Sequence, residues 1–262
     1  MRKHLRIMSI YFRMNLASAL EYRASFITQA FGMALSNSAF IFFWWIAFSW
    51  LGGSIAGYTF EDVVFIWAIS SSGFGLYEIL FINVSRLTNL IVTGELDTFL
   101  LQPCNVLLNL ACARTSLSAY GDVAYGIILI ALVYGASGMA WLWFAIGVLV
   151  FGIIVTAIIL TAHTLSFYWG DASLVGQMAA EFSVNFGIYP ENIYGAPVRA
   201  LMYSLIPIGI AVHVPLRMIH QFAPGIAAAA LAGGAVYCAL AVWWFYHGLK
   251  RYESGNAIVT RL

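Results

Sequence analysis

The stretch WLWFAIGVLVFGIIVTAIILTAHTL, at residues 141–165, decides the fold class. It contains no aspartate, glutamate, lysine or arginine, and it is long enough to cross a bilayer, because a spanning helix needs about 20 apolar residues. The rest of the chain has the same character: 62% of its residues are hydrophobic and 9% are charged. Ordinary soluble proteins are roughly 25% charged. We therefore predict an integral membrane protein.

Five other apolar runs flank residues 141–165, and charged residues, glycines or prolines separate them. Six spans of about 20 residues leave no room for a soluble domain of ordinary size. We predict an all-α fold with six transmembrane helices, a single membrane domain over residues 1–262 and a six-helix bundle over 25–250. Arg114 and Asp122 interrupt the third run, so its start stays open. The expected spans are at about 26–51, 63–84, 104–134, 141–165, 198–214 and 225–245.

Basic residues cluster near the two ends of the chain. Short cytoplasmic segments retain lysine and arginine, so this bias predicts a multi-pass protein of the cytoplasmic (inner) membrane with both termini cytoplasmic. Residues 251–262 are then a cytoplasmic tail. The basic residues are Arg2, Lys3, Arg6, Arg13 and Arg23 before the first span, and Lys250, Arg251 and Arg261 after the last.

Residues 1–24 mix apolar and basic side chains. Leu5, Met8, Phe12 and Leu16 recur at near-helical spacing. This pattern predicts an amphipathic helix that lies along the inner membrane surface. The alternative is a basic tail whose only role is orientation.

The link between the second and third spans, GELDTFLLQP at residues 94–103, is charged and ends in a proline. Glycine tolerates the left-handed conformation that ends a helix, and carboxylates are favoured at the start of the next one. Apolar side chains three and four residues apart suit contact with a partner. From the residues alone, the link is either a docking surface for a soluble protein or a solvated turn. The candidate residues are Gly94, Glu95, Leu96, Asp97, Phe99, Leu100 and Pro103.

Three charged residues lie within or beside the apolar runs: Glu78, Arg114 and Asp122. A charge in hydrocarbon costs roughly 3 kcal/mol even on lenient scales, so each such residue needs a partner or a polar path. These three are candidates to line a transport path or to pair internally, Glu78 with Arg86 and Arg114 with Asp122. A further link, between the fourth and fifth spans, carries Glu181 and Glu191 and is expected to form a second inner surface.

The order of these features resembles the type-2 family of ATP-binding-cassette (ABC) permeases, and most closely its small bacterial branch of exporter permeases without a fused ATPase. The resemblance covers nearly the whole chain. Its most specific positions are Gly94, Leu96, Asp97, Leu100 and Pro103, then Tyr189-Pro190 through Arg199, and the expected helix breaks Pro207 and Pro215.

The resemblance implies a division of labour between subunits. The link after the second span would hold a coupling helix that fits a groove on an ABC ATPase, present in two copies, which binds ATP and Mg. A second permease, identical or related, would complete a central path, and short helices at about residues 214–223 would cap it. Substrates of the family range from drugs and toxic organic cations to lipid-linked glycans.

Other functions find little support in the residues. Neither lysine lies in a P-loop, so we expect no ATPase or other enzyme activity and no cofactor on this chain. A net charge of +1 argues against nucleic acid as a partner. No metal site is expected at His213 and His220, because no acidic or thiol ligand adjoins them. The competing function is an ion- or proton-driven secondary transporter that uses Glu78 or Asp122 as carrier.

Overall fold

A computed structural model describes residues 2–21 and 23–253. In this part of the chain the regular structure is α-helical, with two 3₁₀ turns and one isolated β-bridge, between Ile55 and Tyr58. The predicted tail beyond Glu253 lies outside the described residues. The α-helices are α1 (Arg2–Glu21), α2 (Arg23–Trp50), α3 (Phe60–Leu80), α4 (Leu87–Val92), α5 (Asp97–Leu100), α6 (Val106–Cys112), α7 (Ala119–Tyr134), α8 (Gly138–Thr164), α9 (Ser166–Trp169), α10 (Ser173–Ile188), α11 (Ala196–Leu201), α12 (Ile208–His220) and α13 (Pro224–Leu249).

Four segments are long and apolar enough to cross a membrane: α2, α3, α8 with α9, and α13. They coincide with the first, second, fourth and sixth predicted spans, and the prediction of an all-α membrane protein is confirmed. The third predicted span is divided. Its first part is α6, its second part is the shorter apolar helix α7, and residues 113–118 between them are not helical. The count of six long spanning helices is therefore not reproduced.

The predicted fifth span, at residues 198–214, is wrong. This run forms a hairpin in which α11 leads into a turn at residues 202–207 and α12 returns. The turn lies beside the middle of α13, where the Tyr237 hydroxyl donates to the Leu205 carbonyl (3.0 Å). Pro207 stands directly before α12, and the helix runs through Pro215. The cap expected at residues 214–223 is also misplaced, because residue 214 belongs to the middle of α12.

The link between the fourth and fifth predicted spans forms α10, which packs against α8 and α3. Sequence periodicity gave no sign of this helix, because Gln177, Glu181 and Asn185 interrupt its apolar residues. The expected inner-surface link is thus replaced by a helix that packs along the side of the bundle.

Helices α3 and α8 form the centre of the bundle, and α7, α10, α12 and α13 pack around them. Glycines allow the close approach. A Cβ added to Gly126 of α7 would lie 2.6 Å from the Ala68 carbonyl oxygen of α3, and one added to Gly147 of α8 would lie 2.9 Å from the Ala211 carbonyl oxygen of α12. Small residues at such positions let helix backbones touch, which is how helices associate in lipid.

The bundle has two ends. At the first, which we call the α5 end, α1 packs on α6 through a hydrogen bond from Tyr11 to Asn109, and Tyr252 follows α13 close to α5. At the opposite end, the Asn192 side chain donates to the Ala56 carbonyl (3.0 Å), which joins the α2–α3 loop to the α10–α11 link. Both described ends of the chain therefore lie at the α5 end.

Candidate functional site

The α5 end presents a single exposed turn of helix. Gly94 has φ of +76° and follows the end of α4, in the left-handed conformation that glycine adopts without strain. The Leu96 N–H then donates back to the Leu90 carbonyl (3.0 Å). Helix α5 begins at Asp97 and ends at Leu100, before Pro103. The backbone thus turns sharply and shows one helical turn at the end of the bundle.

The exposed apolar surface of this turn differs from the predicted one. Leu96 is fully buried in the core, and Phe99 packs partly against it, so Leu96 anchors the turn and offers nothing to a partner. The exposed apolar side chains are Leu100, at 38%, and Leu101, at 86%. Sequence reasoning missed Leu101, although it directly follows Leu100 in a charged link. Glu95 is exposed beside them.

Side chains on both sides hold the turn in place. Asp97 faces Tyr252, and burial together with the Asp97 charge raises the pKa of the Tyr252 hydroxyl to about 12. On the other side, the Asn109 amide donates to the Gln102 side-chain oxygen (2.6 Å). The turn is therefore fastened to α6 and to the segment after α13.

A buried polar network lies just behind the turn. Thr88 of α4 shares hydrogen bonds with His163 of α8 (2.8 Å) and with Ser166 of α9 (2.7 Å). Gly176 of α10 packs directly on the His163 ring. Because α4 leads straight into Gly94, this network joins the exposed turn to three helices of the bundle. The sequence signal was His163, a histidine near the end of an apolar run.

The three charged residues singled out in the apolar runs form no ion pair with one another, although Glu78 lies within electrostatic range of Asp122. Asp122 is buried and accepts a hydrogen bond from the Asn37 amide of α2 (2.6 Å). Arg114 is exposed in the break between α6 and α7. Glu78 is half-buried beside Ser116, whose N–H donates to the Glu78 carbonyl (3.2 Å). Among the described residues, the ion pairs involve none of these three, so the predicted pairing of Arg114 with Asp122 and of Glu78 with Arg86 does not occur.

A second polar site lies at the opposite end and was not predicted. It surrounds a cavity of about 680 Å³, and the polar residues that line this cavity, which we call the opposite-end cluster, are Asp62, Glu191, His213, Arg217 and His220. Asp62 caps the start of α3 and shares a hydrogen bond with His220 of α12 (2.6 Å). Glu191 accepts hydrogen bonds from Arg217 and from Tyr203 (2.5 Å). The expected position of Glu191 on the inner surface is therefore wrong, since it lies at the end away from α5.

The electrostatics of this cluster favour the charged form of Glu191. Burial alone would raise the pKa of this carboxyl, but the neighbouring His213 imidazole, the Tyr203 hydroxyl and the Arg217 guanidinium together hold it below its ordinary value. His213 is buried against this cluster, and His220 faces Asp62, so the two histidines do not share a ligand position. In the described part of the chain, no group of three or more His, Cys, Asp or Glu side chains is placed to hold a metal.

Residues 35–256 match the family described as ABC-2 family transporter protein. The chain belongs to the ABC-2 transporter family. No curated protein and no solved structure matches it. The match covers all four long apolar helices except the start of α2, and it includes both α5 and the α11–α12 hairpin.

Membership of the ABC-2 family makes the chain a membrane-embedded component of an ABC transporter, namely its permease. The family pairs such permeases with an ABC ATPase. This confirms the resemblance read from residues 94–103 and from the apolar runs.

Proposed function

We propose that this chain is the permease of an ATP-driven exporter and moves a drug, a toxic organic cation or a lipid-linked molecule across the cytoplasmic membrane. Its six passes are α2, α3, α6 with α7, α8, α10 with the segment up to Glu191, and α13. Both termini are cytoplasmic, which agrees with their common position at the α5 end and with the basic residues there. Helix α1 then lies along the inner membrane surface.

The proposed assembly contains two permeases, identical or related, and two copies of a separate ATPase. ATP and Mg bind on the ATPase, and this chain carries no cofactor and no enzyme activity of its own. The lipid bilayer is its other partner, and nucleic acid is not one. In one chain, only 17% of the most apolar window of α2 and of α13 is buried, so both helices are largely exposed. A single chain therefore has too few enclosed helices to surround a transport path, and a second permease is needed.

The observation that carries this proposal is the exposed turn at α5. Leu100 and Leu101 project from a turn that Leu96, Asp97 and Gln102 fasten to the bundle. A partner that binds the two leucines therefore moves the bundle with it. When the ATPase closes on ATP, α5 would carry that movement through α4 and the Thr88–His163 hydrogen bond into α8.

The test compares one leucine at each end of the bundle. Leu101→Asp should weaken binding of the ATPase by one to two orders of magnitude, since burying a leucine contributes about 1.5–3 kcal/mol. Leu51→Asp is the matched control, because Leu51 is also exposed, at 65%, but lies at the opposite end. The readouts are the amount of ATPase that co-purifies with the permease and the rate of ATP hydrolysis that the permease stimulates.

Equal loss of ATPase with both variants would refute docking at α5. If the wild-type chain retains no ATPase even after crosslinking with a non-hydrolysable nucleotide, the assembly itself is wrong. Transport by the purified chain alone, driven by a proton or ion gradient, would then favour the secondary transporter with Glu78 or Asp122 as carrier.

A further inference from the structure

A small cavity of about 140 Å³ lies inside the bundle, between α2, α3, α7, α8 and α10. Asp122 and Asn37 line it on one side, and Ser70 and Ser71 of α3 line it on another. Met33 of α2 adds an apolar side chain to the wall. The cavity is separate from the opposite-end cluster and from the α5 turn, because it shares no lining residue with either.

The carboxylate in this cavity is incompletely satisfied. Asp122 is 3% exposed, and its Oδ1 accepts the hydrogen bond from Asn37. Its Oδ2 is buried and has no hydrogen-bond partner among the described residues. A buried carboxylate oxygen without a donor is costly, so this atom is placed to receive a positive charge or a hydrogen-bond donor.

The neighbouring serines do not supply that donor. The Ser70 hydroxyl is directed to the backbone carbonyls of Ile66 and Gly187 (2.9 and 2.6 Å), and the Ser71 hydroxyl donates to the Ala68 carbonyl (3.4 Å). Both hydroxyl groups are therefore engaged with backbone. What the cavity offers a ligand at this point is the unpartnered carboxyl oxygen of Asp122.

Aromatic rings form much of the remaining wall. Trp67 and Phe74 come from α3, and Phe151 comes from α8, where it packs against Gly73 and Gly187. Trp67 is also stacked on Phe40 of α2, with ring centroids 4.0 Å apart. Aromatic faces attract cations, and groups of them around one carboxylate suit an ammonium group.

The same wall suits a metal ion poorly. Hard cations take six or more oxygen ligands, whereas the cavity is lined mainly by rings and aliphatic side chains. Its volume also limits the ligand. Pockets for drug-sized molecules measure about 300–1,000 Å³, so 140 Å³ accommodates a small charged head and not a whole drug.

We infer that Asp122, with Trp67, Phe74 and Phe151, forms a binding site for a small alkylammonium group. The carboxylate would neutralise the cation, and the rings would replace part of its hydration. If the chain is the proposed permease, this site narrows its substrate class to organic cations. Binding of the ammonium group itself depends only on the cavity.

The experiment uses the purified full-length chain in lipid nanodiscs, without ATPase or ATP. Tetramethylammonium is the probe, and tert-butanol is the uncharged compound of similar shape. We expect saturable binding of tetramethylammonium and none of tert-butanol. Asp122→Asn should weaken binding about a hundredfold or more, because it leaves the cation without its counter-charge. Phe74→Leu should weaken it about three- to thirtyfold.

Glu181→Gln is the matched control, because Glu181 is a carboxylate on α10, which also borders the cavity, but it is exposed and does not line it. It should bind tetramethylammonium as the wild type does. Unchanged binding in Asp122→Asn, or equal weakening by Glu181→Gln, would overturn the assignment. So would absence of saturable binding to the wild type, which would leave ordered water as the occupant.

If Asp122→Asn does not fold, the other comparisons still decide the matter. Binding that prefers tetramethylammonium to tert-butanol and weakens in Phe74→Leu supports the site, and binding without that preference refutes it. Because the assay contains no ATPase, its failure leaves the α5 docking proposal untouched. Loss of docking in Leu101→Asp likewise leaves the cation site untouched.

Discussion

Helices α2 and α3 are almost equally apolar but differ in what surrounds them. The most apolar window of α2 has a mean hydropathy of 1.5 and is 17% buried, whereas that of α3 has a mean hydropathy of 1.6 and is 72% buried. The two helices also differ in side-chain size: α3 carries SSSG at residues 70–73, and α2 carries FIFFWW at residues 40–45. Size alone does not account for the difference in burial, because α13 is rich in alanine and glycine and its most apolar window is also only 17% buried. Hydropathy thus selects helices for the membrane, and the contacts each one makes decide how far it is enclosed.

The bulky residues of α2 also divide into two faces. Trp44 is 5% exposed and packs against Phe40, Phe48 and Tyr189, while its neighbour Trp45 is 53% exposed. Asn37 on the inner face holds α2 to α7 through Asp122. Helix α2 is therefore attached along one narrow line, and α3 is enclosed.

The largest expected effect comes from the attached line of α2. Trp44→Ala should lower the free energy of unfolding by about 3 kcal/mol, since it leaves a cavity among the rings of Phe40, Phe43, Phe48 and Tyr189. Trp45→Ala, one residue away on the open face, should change it by less than about 0.5 kcal/mol. Thermal unfolding of the two variants in the same detergent measures the difference. Equal losses would mean that α2 is enclosed after all.

A smaller effect is expected from the glycines. Gly126→Ala should destabilise the protein by about 1–3 kcal/mol, because its Cβ would overlap the Ser72 hydroxyl and the Ala68 carbonyl of α3. Gly32→Ala on α2 has nothing within 4 Å of the new Cβ and should stabilise the helix by up to about 1 kcal/mol. Unfolding midpoints of the two variants should thus move in opposite directions. A stabilised Gly126→Ala variant would contradict the tight contact of α3 with α7.

The smallest effect concerns the loops beyond the two helices. Helix α3 starts at Phe60, and its Asp62 belongs to the opposite-end cluster, whereas α2 ends at Trp50, next to the exposed Leu51. The pKa of Glu191 in this cluster lies below its ordinary value of 4.5, so its carboxylate adds stability above that pH. This stability is lost as the pH falls through the lowered pKa.

As the pH is lowered below about 4.5, the temperature of the unfolding midpoint should therefore decrease more steeply for the wild type than for Glu191→Gln. Glu95→Gln, which removes an exposed carboxylate at the α5 end, is the control and should follow the wild type. If the unfolding midpoints of the wild type and Glu191→Gln decrease equally as the pH is lowered, the Glu191 carboxylate does not contribute to stability.

The sequence predicted the long helices and missed the irregular ones. Apolar runs located α2, α3, α8 and α13 because each is apolar throughout, whichever neighbours it has. Helix α10 was not predicted, because its polar residues interrupt the apolar sequence. Residues 198–214 were predicted as a span, because a turn at membrane depth can be as apolar as a helix. Hydropathy cannot distinguish backbone that crosses the membrane from backbone that turns inside it.

The candidate sites divide in the same way. Gly94 and Pro103 bounded the exposed turn correctly, because their conformational preferences are local. The burial of Leu96 and the pairing of Asp122 with Asn37 were not predictable, since they depend on contacts between distant segments. A signal for the latter existed: Asn37 is a polar amide within an otherwise apolar run, and such a residue needs a partner.

The hairpin of α11 and α12 limits how this molecule can change shape. Its turn is not helical, and backbone without regular hydrogen bonds is tolerated at membrane depth only where protein shields it. Tyr237 of α13 donates to the Leu205 carbonyl, and within the hairpin the Gly209 N–H donates to the Met202 carbonyl. Pulling α13 away would leave the Leu205 carbonyl without its donor. We therefore expect α13 and the hairpin to move together, and α2, attached along one line, to be the element that moves independently.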